Sequence, residues 1–589
     1  MINSIKQISK LLGPEKRKLP FLMFMIIFLS LLELLGIGLL VPYLNNIVYG
    51  NYGIAGLSLE TYLQGDEQEK FIFISILIVA AFLFKFCFSF LLSAGITYFA
   101  QLQRINLGQR LLESHLYADF ITYLSRSDSD GIYEMQTATT HYFTAIQLIL
   151  KFLSDALILL ILGIFLFSIN SLILFLTMGI ITSVVGIYYI FSKNYLIEFG
   201  KRVNLAESNV IKICQDAFKG FREIRFLNKA SFFIGLLRAE LLVAGRISIW
   251  LNLHAIAPRQ LLELAIVFLF VVAAMVSRSL AIDNEQFTSI AMIYVVSIFR
   301  ILPLITNMTA GLSRFRGLTD SIDRLHSTID GLTIEIENIK ENFNGSRKHT
   351  KKFTDIELKN VSYLYPESKN LALNNISMRI DNSEVIGISG PSGIGKTTLI
   401  NLLSGLLTPT SGQVLYNGLP ISGLKLRDLS IAYIPQETVS INGSILRNIV
   451  LTDDISNEVS NRVMSLLDIT NLSSVVKEMP NGLDTIIGQS GAKISSGQRQ
   501  RIAIARALFF NKDLLILDEA TNAVDIETES LIINNIRNQN KTISMLIISH
   551  RPSSLMHCDR IYRMDINGLN EVVDRTSFFD TLKDHVDKN

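Results

Sequence analysis

At 589 residues, with 49% hydrophobic and 18% charged side chains and a mean hydropathy of +0.37, the chain is too long for one core and too apolar for a soluble enzyme. A formal charge of +2 lacks the basic excess of a nucleic-acid binder, so no nucleic-acid partner is expected. Cys87, Cys214 and Cys558 are too scattered for a disulfide framework or a zinc site and read as small apolar residues.

Polar, basic residues 1–18 lead into an apolar run too long for a signal-peptide core. Stretches able to cross a bilayer as helices fall at about 20–42, 71–99, 143–168, 170–197, 249–277 and 286–311, which predicts a transmembrane domain over 1–338 with six spans. Lys6, Lys10, Lys16, Arg17 and Lys18 precede the first span, and Lys201, Arg202, Lys212, Lys219, Arg222 and Arg225 follow the fourth. Basic loops stay in the cytoplasm. The loop from Tyr43 to Glu69 has no basic residue and is placed outside. The connections 100–142 and 198–248 are helix-patterned and are expected to carry short transverse helices near Ser125–Met135 and Asp216–Glu223 that touch a soluble domain.

Residues 339–352, rich in Asn, Gly, Ser, Lys and Arg, read as a linker. From 353 to 589 a soluble α/β domain follows, in which Val385–Ile388, Leu514–Leu517 and Met545–Ile548 are apolar runs of the length of buried parallel strands. The first strand leads into Gly390-Pro391-Ser392-Gly393-Ile394-Gly395-Lys396-Thr397, and Thr398 continues into a helix. This is a P-loop: glycines let backbone N–H groups face phosphates, Lys396 reaches the β- and γ-phosphates, and Thr397 can ligate Mg²⁺. The helix N-terminus adds positive potential there. The second strand ends in Asp518-Glu519, which suits Asp518 as a second metal ligand and Glu519 as the base that prepares water. The third delivers His550, placed to hydrogen-bond a γ-phosphate and that water.

The order of the P-loop, Gln436, Ser495-Ser496-Gly497-Gln498, Asp518-Glu519, Asp525 and His550 resembles the ATP-binding cassette of ABC transporters over residues 353–580. The resemblance implies ATP as ligand, Tyr365 stacked on adenine, and Gln436 meeting the metal while reporting to the membrane domain. It further implies that Ser495 and Gly497 contact ATP held by a second subunit, and that Asp525 crosses the interface. Two chains are then required, and the complete set Lys396, Gln436, Glu519 and His550 favours a homodimer over a heterodimer. The sequence departs from the family at Ile494 and Ser496, where Leu and Gly are usual. It departs again in Gly488-Gln489-Ser490-Gly491, which lacks the usual glutamate.

Charged residues within the spans, Glu33, Lys85, Lys151, Asp155, Lys193, Arg259, Glu263 and Arg300, are functional candidates because ionisable groups in lipid are costly. Lys151 with Asp155, and Arg259 with Glu263, are four apart and can neutralise each other. Leu32-Glu33 through Pro42, Pro258-Arg259 with Glu263, and Phe299-Arg300 to Pro303 resemble bacterial flippases of lipid-linked oligosaccharides. That resemblance implies an inner-membrane transporter whose pyrophosphate-bearing cargo pairs with Arg259, Arg300 or Lys85. A peptide, drug or lipid exporter of the same architecture is the alternative, and an ATP-gated channel a further one.

Overall fold

The computed structural model describes residues 2–49, 53–54, 57–58, 66–169, 171–279, 284–343, 352–366, 368–424, 426–488, 494–520, 523–539, 541–566 and 568–579. The chain divides into two compact units, Met1–Ala118 with Thr122–Ile339, and Asp119–Ile121 with Lys340–Asn589.

The first unit is helical. Among the described residues its long helices are α1 (Leu19–Tyr49), α2 (Glu67–Leu116), α3 (Thr139–Ile169), α4 (Ser171–Lys219), α5 (Ala230–Ser279) and α6 (Asn284–Phe343). Their apolar and polar faces are inverted relative to a soluble bundle. Phe24, Phe86, Phe90, Leu160, Phe191, Leu264 and Phe268 are exposed, whereas Ser30, Glu33, Ser154, Asp155 and Ser297 are buried. A helix keeps all its backbone groups paired, so such a surface is stable in lipid and a liability in water. Within the described residues, Pro14–Leu40, Gln68–Leu116 and Asp128–Ser168 are long and apolar enough to cross a membrane. Pro258 lies inside α5 and Pro303 inside α6.

At the polar end, Ile8 and Leu11 join Phe99, Leu107, Leu111, Tyr133, Tyr142, Phe315 and Leu325 in a buried cluster. Gln103 accepts the Gly13 N–H at 2.8 Å and Arg110 donates to the Leu11 carbonyl at 3.1 Å, fixing the N-terminal helix there. Short helices, Asp128–Tyr133 and Phe221–Phe226, lie at the two places where transverse helices are expected. The residues that group with the second unit are Asp119–Ile121, upstream of the expected Ser125–Met135, and Phe120 and Ile121 pack on that unit's core.

Among the described residues the second unit holds two large sheets, beside a short antiparallel pair of Gly443–Ser444 with Ile486–Ile487. Strands β1 (Asp355–Tyr363), β2 (Leu373–Asp381), β4 (Ser411–Tyr416) and β5 (Leu419–Pro420) form an antiparallel sheet in the order β2-β1-β4-β5. The other contains β3 (Val385–Ser389), β6 (Ile431–Ile434), β7 (Leu514–Asp518), β8 (Ser544–Ile548), β9 (Arg560–Asp565) and β10 (Gly568–Glu571), ordered β10-β9-β3-β8-β7-β6. All its pairings are parallel except β9 with β10.

The continuous apolar strands split by alternation onto two faces. Ile386, Ile388, Leu514, Ile516, Leu546 and Ile548 meet Leu399, Ile400 and Leu403 of α7 (Lys396–Leu403). Val385, Leu515, Leu517, Met545 and Ile547 meet Ile504 and Leu508 of α8 (Ser496–Phe509) and Ile532, Ile533 and Ile536 of α9 (Ile526–Gln539). With both faces covered, the carboxyl ends of β3, β6, β7 and β8 are where a ligand can enter such a sheet.

Candidate phosphate and nucleotide site

Those carboxyl ends carry the expected residues. Gly395, with φ +108°, opens α7, and a Cβ there would lie 2.5 Å from the Ala372 carbonyl oxygen, so the turn admits no side chain. Lys396 Nζ donates to the Gly390 carbonyl at 2.5 Å and lies 2.7 Å from His550 Nε2. An ammonium can only donate, so Nε2 of His550 is the acceptor and the ring proton sits on Nδ1. Burial, then the neighbouring lysine, hold His550 below its ordinary 6.5; burial likewise lowers Lys396.

Glu519 leaves β7 with φ +50°, a left-handed backbone that glutamate rarely adopts. Its N–H is tied to the Ile548 carbonyl of β8 at 3.0 Å. The side chain then accepts from Gln436 Nε2 at 2.9 Å, and Oε1 lies 3.4 Å from His550 Nε2. Lys396, His550, Glu519 and Gln436 thus form one continuous cluster drawn from four strand ends. Tyr433, absent from the sequence-based site, donates to Asp518 at 3.0 Å from the neighbouring strand β6. Burial pushes the Asp518 carboxyl up, and both burial and Asp518 push the Tyr433 hydroxyl up. No local signal in the sequence marks Tyr433, because its partner is 85 positions away.

Thr397, Gln436 and Asp518 supply oxygen donors of the hard kind that Mg²⁺ takes alongside phosphates. Among the described residues no group of three His, Cys, Asp or Glu could hold a metal by itself. The donor set fits an ion brought in with phosphate oxygens. Tyr365, the expected adenine platform, is half-buried, meets Tyr363 edge-to-face at 4.9 Å, and its hydroxyl lies 3.2 Å from Thr398 Oγ1.

In the signature segment, Ser495 and Gln498 close a reciprocal cap on α8: Ser495 Oγ accepts the Gln498 N–H at 3.1 Å, and Gln498 Oε1 accepts the Ser495 N–H at 2.9 Å. Ser496 is exposed, and Ile494 is buried in an apolar cluster where any large aliphatic side chain serves. Gly497 is enforced by packing, because a Cβ would lie 2.7 Å from the Ala523 carbonyl oxygen. Asp525 accepts the Thr528 N–H at 2.9 Å at the start of α9, which holds its carboxyl below the usual range. Gln489, Ser490 and Gly491 lie outside the described residues.

In the helical unit, Glu33 of α1 pairs with Lys85 of α2 and with Arg300 of α6, the latter at 3.4 Å. Both cations lie over the Phe82 ring, at 5.3 and 5.6 Å from its centroid. Arg259 pairs with Glu263 at 2.8 Å. Asp155 is buried with one carboxylate oxygen lacking a hydrogen-bond partner, and Lys151 is exposed. The side chain of Lys193 lies outside the described residues.

Residues 373–522 match the family described as ABC transporter. An ATP-dependent lipid A-core flippase of Polaromonas sp. (strain JS666 / ATCC BAA-500) is 38% identical over 219 residues, covering 37% of each chain. The alpha-hemolysin translocation ATP-binding protein HlyB of Escherichia coli O157:H7 is 39% identical over 220 residues, covering 37% of this chain and 31% of HlyB. The aligned segment therefore spans only about a third of the length of these relatives. A bacterial Atm1-family ABC exporter, solved with ATP bound, superposes with a TM-score of 0.73 at 18% identity, over 97% of this chain and 99% of that one. The helical unit and the α/β unit together have the fold of an ABC exporter.

Proposed function

Starting from an ABC transporter domain carried on an exporter fold, we propose that two copies of this chain form an ATP-driven exporter in the cytoplasmic membrane. The observation that carries the reading is the single cluster of Lys396, His550, Glu519 and Gln436 at the carboxyl ends of the parallel strands. In it, Lys396 and the P-loop amides bind the β- and γ-phosphates, and Thr397, Gln436 and Asp518 hold Mg²⁺, which neutralises phosphate charge. Glu519, held by Gln436, orients and deprotonates the attacking water, and neutral His550 accepts or donates a hydrogen bond beside it. Ser495 and Gly497 of one copy complete the site of the other. Exposed Phe218 at the end of α4, with Phe221 and Phe226 of the short helix after it, support a second copy, since apolar residues in that number need a cover.

The six long helices each cross the membrane once in this reading, and ATP-driven closure of the two cassettes turns the cavity outward. The cargo is an amphiphilic anion, a lipid-linked oligosaccharide being our specific assignment. It is supported by Glu33, Lys85 and Arg300, which together carry one excess positive charge, and by exposed Arg259. Arginine forks suit phosphate oxygens. Reconstitution in liposomes with a labelled lipid-linked oligosaccharide tests it: ATP-dependent translocation is expected, and Glu519→Gln abolishes both it and steady-state hydrolysis. Unchanged hydrolysis in Glu519→Gln removes Glu519 from its role. Stimulation by a peptide with no glycolipid movement favours the peptide-exporter reading, which the likeness to HlyB supports.

A further inference from the structure

We infer that Gln500 is a positioning residue of the ATPase reaction, a fastener that keeps the segment bearing Gln436 in register with the segment leading to Asp525. Gln500 is 5% exposed and lies on α8, one turn after Gly497 on the same helix face. Its Nε2 donates to the Gln436 carbonyl at 3.3 Å, and its Oε1 accepts the Ala523 N–H at 3.1 Å. Both partners are backbone groups outside regular helix or strand, so no ladder fixes them. A primary amide offers one donor end and one acceptor end at a fixed separation, which this pair of partners requires.

The neighbouring contacts make the fastener tight. The Ala523 carbonyl approaches α8 at Gly497, where a Cβ would be 2.7 Å away, so both polar groups of Ala523 lie against this helix. From the other side Arg551 donates to the Val524 carbonyl at 2.9 Å. Gln436 in turn holds Glu519 through its side chain. A shift of Ala523 is therefore passed through one buried side chain to the residue that orients Glu519, although Gln500 itself touches none of the reacting atoms. The inference rests on the cassette being an ATPase.

The test uses the purified full-length chain in lipid nanodiscs, with ATPase rates measured across ATP concentration. Loss of two buried hydrogen bonds that act on the reacting geometry should lower kcat about tenfold in Gln500→Met, with KM for ATP moving less than about threefold. In a Gln436→Ala background, where the link to Glu519 is already gone, the same substitution should cost less than about twofold. An unchanged kcat, or the full loss repeated in that background, overturns the inference. If Gln500→Met is not recovered folded, Gln500→Glu serves, because it keeps the acceptor for Ala523 and loses the donor to Gln436; wild-type kcat in that variant also overturns the inference. A wild-type protein with no hydrolysis sensitive to Glu519→Gln would instead count against the proposed function.

Discussion

Replacing Glu33 by Gln removes the carboxylate that, among the described residues, pairs with both Lys85 and Arg300. The side chains of Glu33 and Lys85 are 9% and 14% exposed, and that of Arg300 is 39% exposed. Stranding a buried charge costs about 3–5 kcal/mol. Lys85, the more buried of the two cations, bears most of this, so the expected loss is about 2–3 kcal/mol. Adding Lys85→Met to Glu33→Gln removes the stranded ammonium, leaves an apolar side chain of similar length beside Phe82, and should recover most of the loss. The assay is thermal unfolding of the full-length protein in detergent, followed by fluorescence, for the wild type and both variants at one lipid and salt composition. Equal midpoints for wild type and Glu33→Gln, or a double variant less stable than the single one, would refute the argument that Glu33 is the shared counter-ion.

Gly395→Ala places a methyl 2.5 Å from the Ala372 oxygen at a positive φ, so the cassette should lose about 2–4 kcal/mol and bind ATP more weakly, read by chemical unfolding and nucleotide titration. His550 has a folded-state pKa below its ordinary 6.5, so the fold binds fewer protons than the unfolded chain. The stability tied to its neutral form is present above pH 6.5 and is lost as pH falls through the folded value. A melting midpoint that declines on the acid side, and declines less in His550→Gln, is the expected result.

The sequence made the cassette readable because its parallel strands are uninterrupted apolar runs and its candidate ligand-binding residues sit directly at their ends. Glu519, Asp518 and His550 needed only the strand boundaries to be found. Tyr433 and Gln500 escaped because their roles exist only between segments, 85 positions apart for Tyr433 and Asp518 and 64 for Gln500 and Gln436. The helical unit shows the same division. Arg259 and Glu263, four apart on one helix, could be paired from spacing alone, whereas the meeting of Glu33, Lys85 and Arg300 depends on how three helices pack. The Gln498 amide closes the cap on its helix with Ser495, an arrangement that the Ser-x-x-Gln spacing alone makes legible. Phe120 and Ile121, which group with the second unit, pack on its core, and Tyr133 is buried in the first unit.

The left-handed backbone at Glu519 has an evolutionary corollary. Most of the other non-glycine residues with positive φ are asparagines, which tolerate that geometry. A population selected solely for thermal endurance would drift toward Asn or Gly at 519, gaining robustness as it shed the carboxylate. Glutamate at so uncomfortable a backbone position is what a demand for a carboxylate there would produce, at the expense of durability.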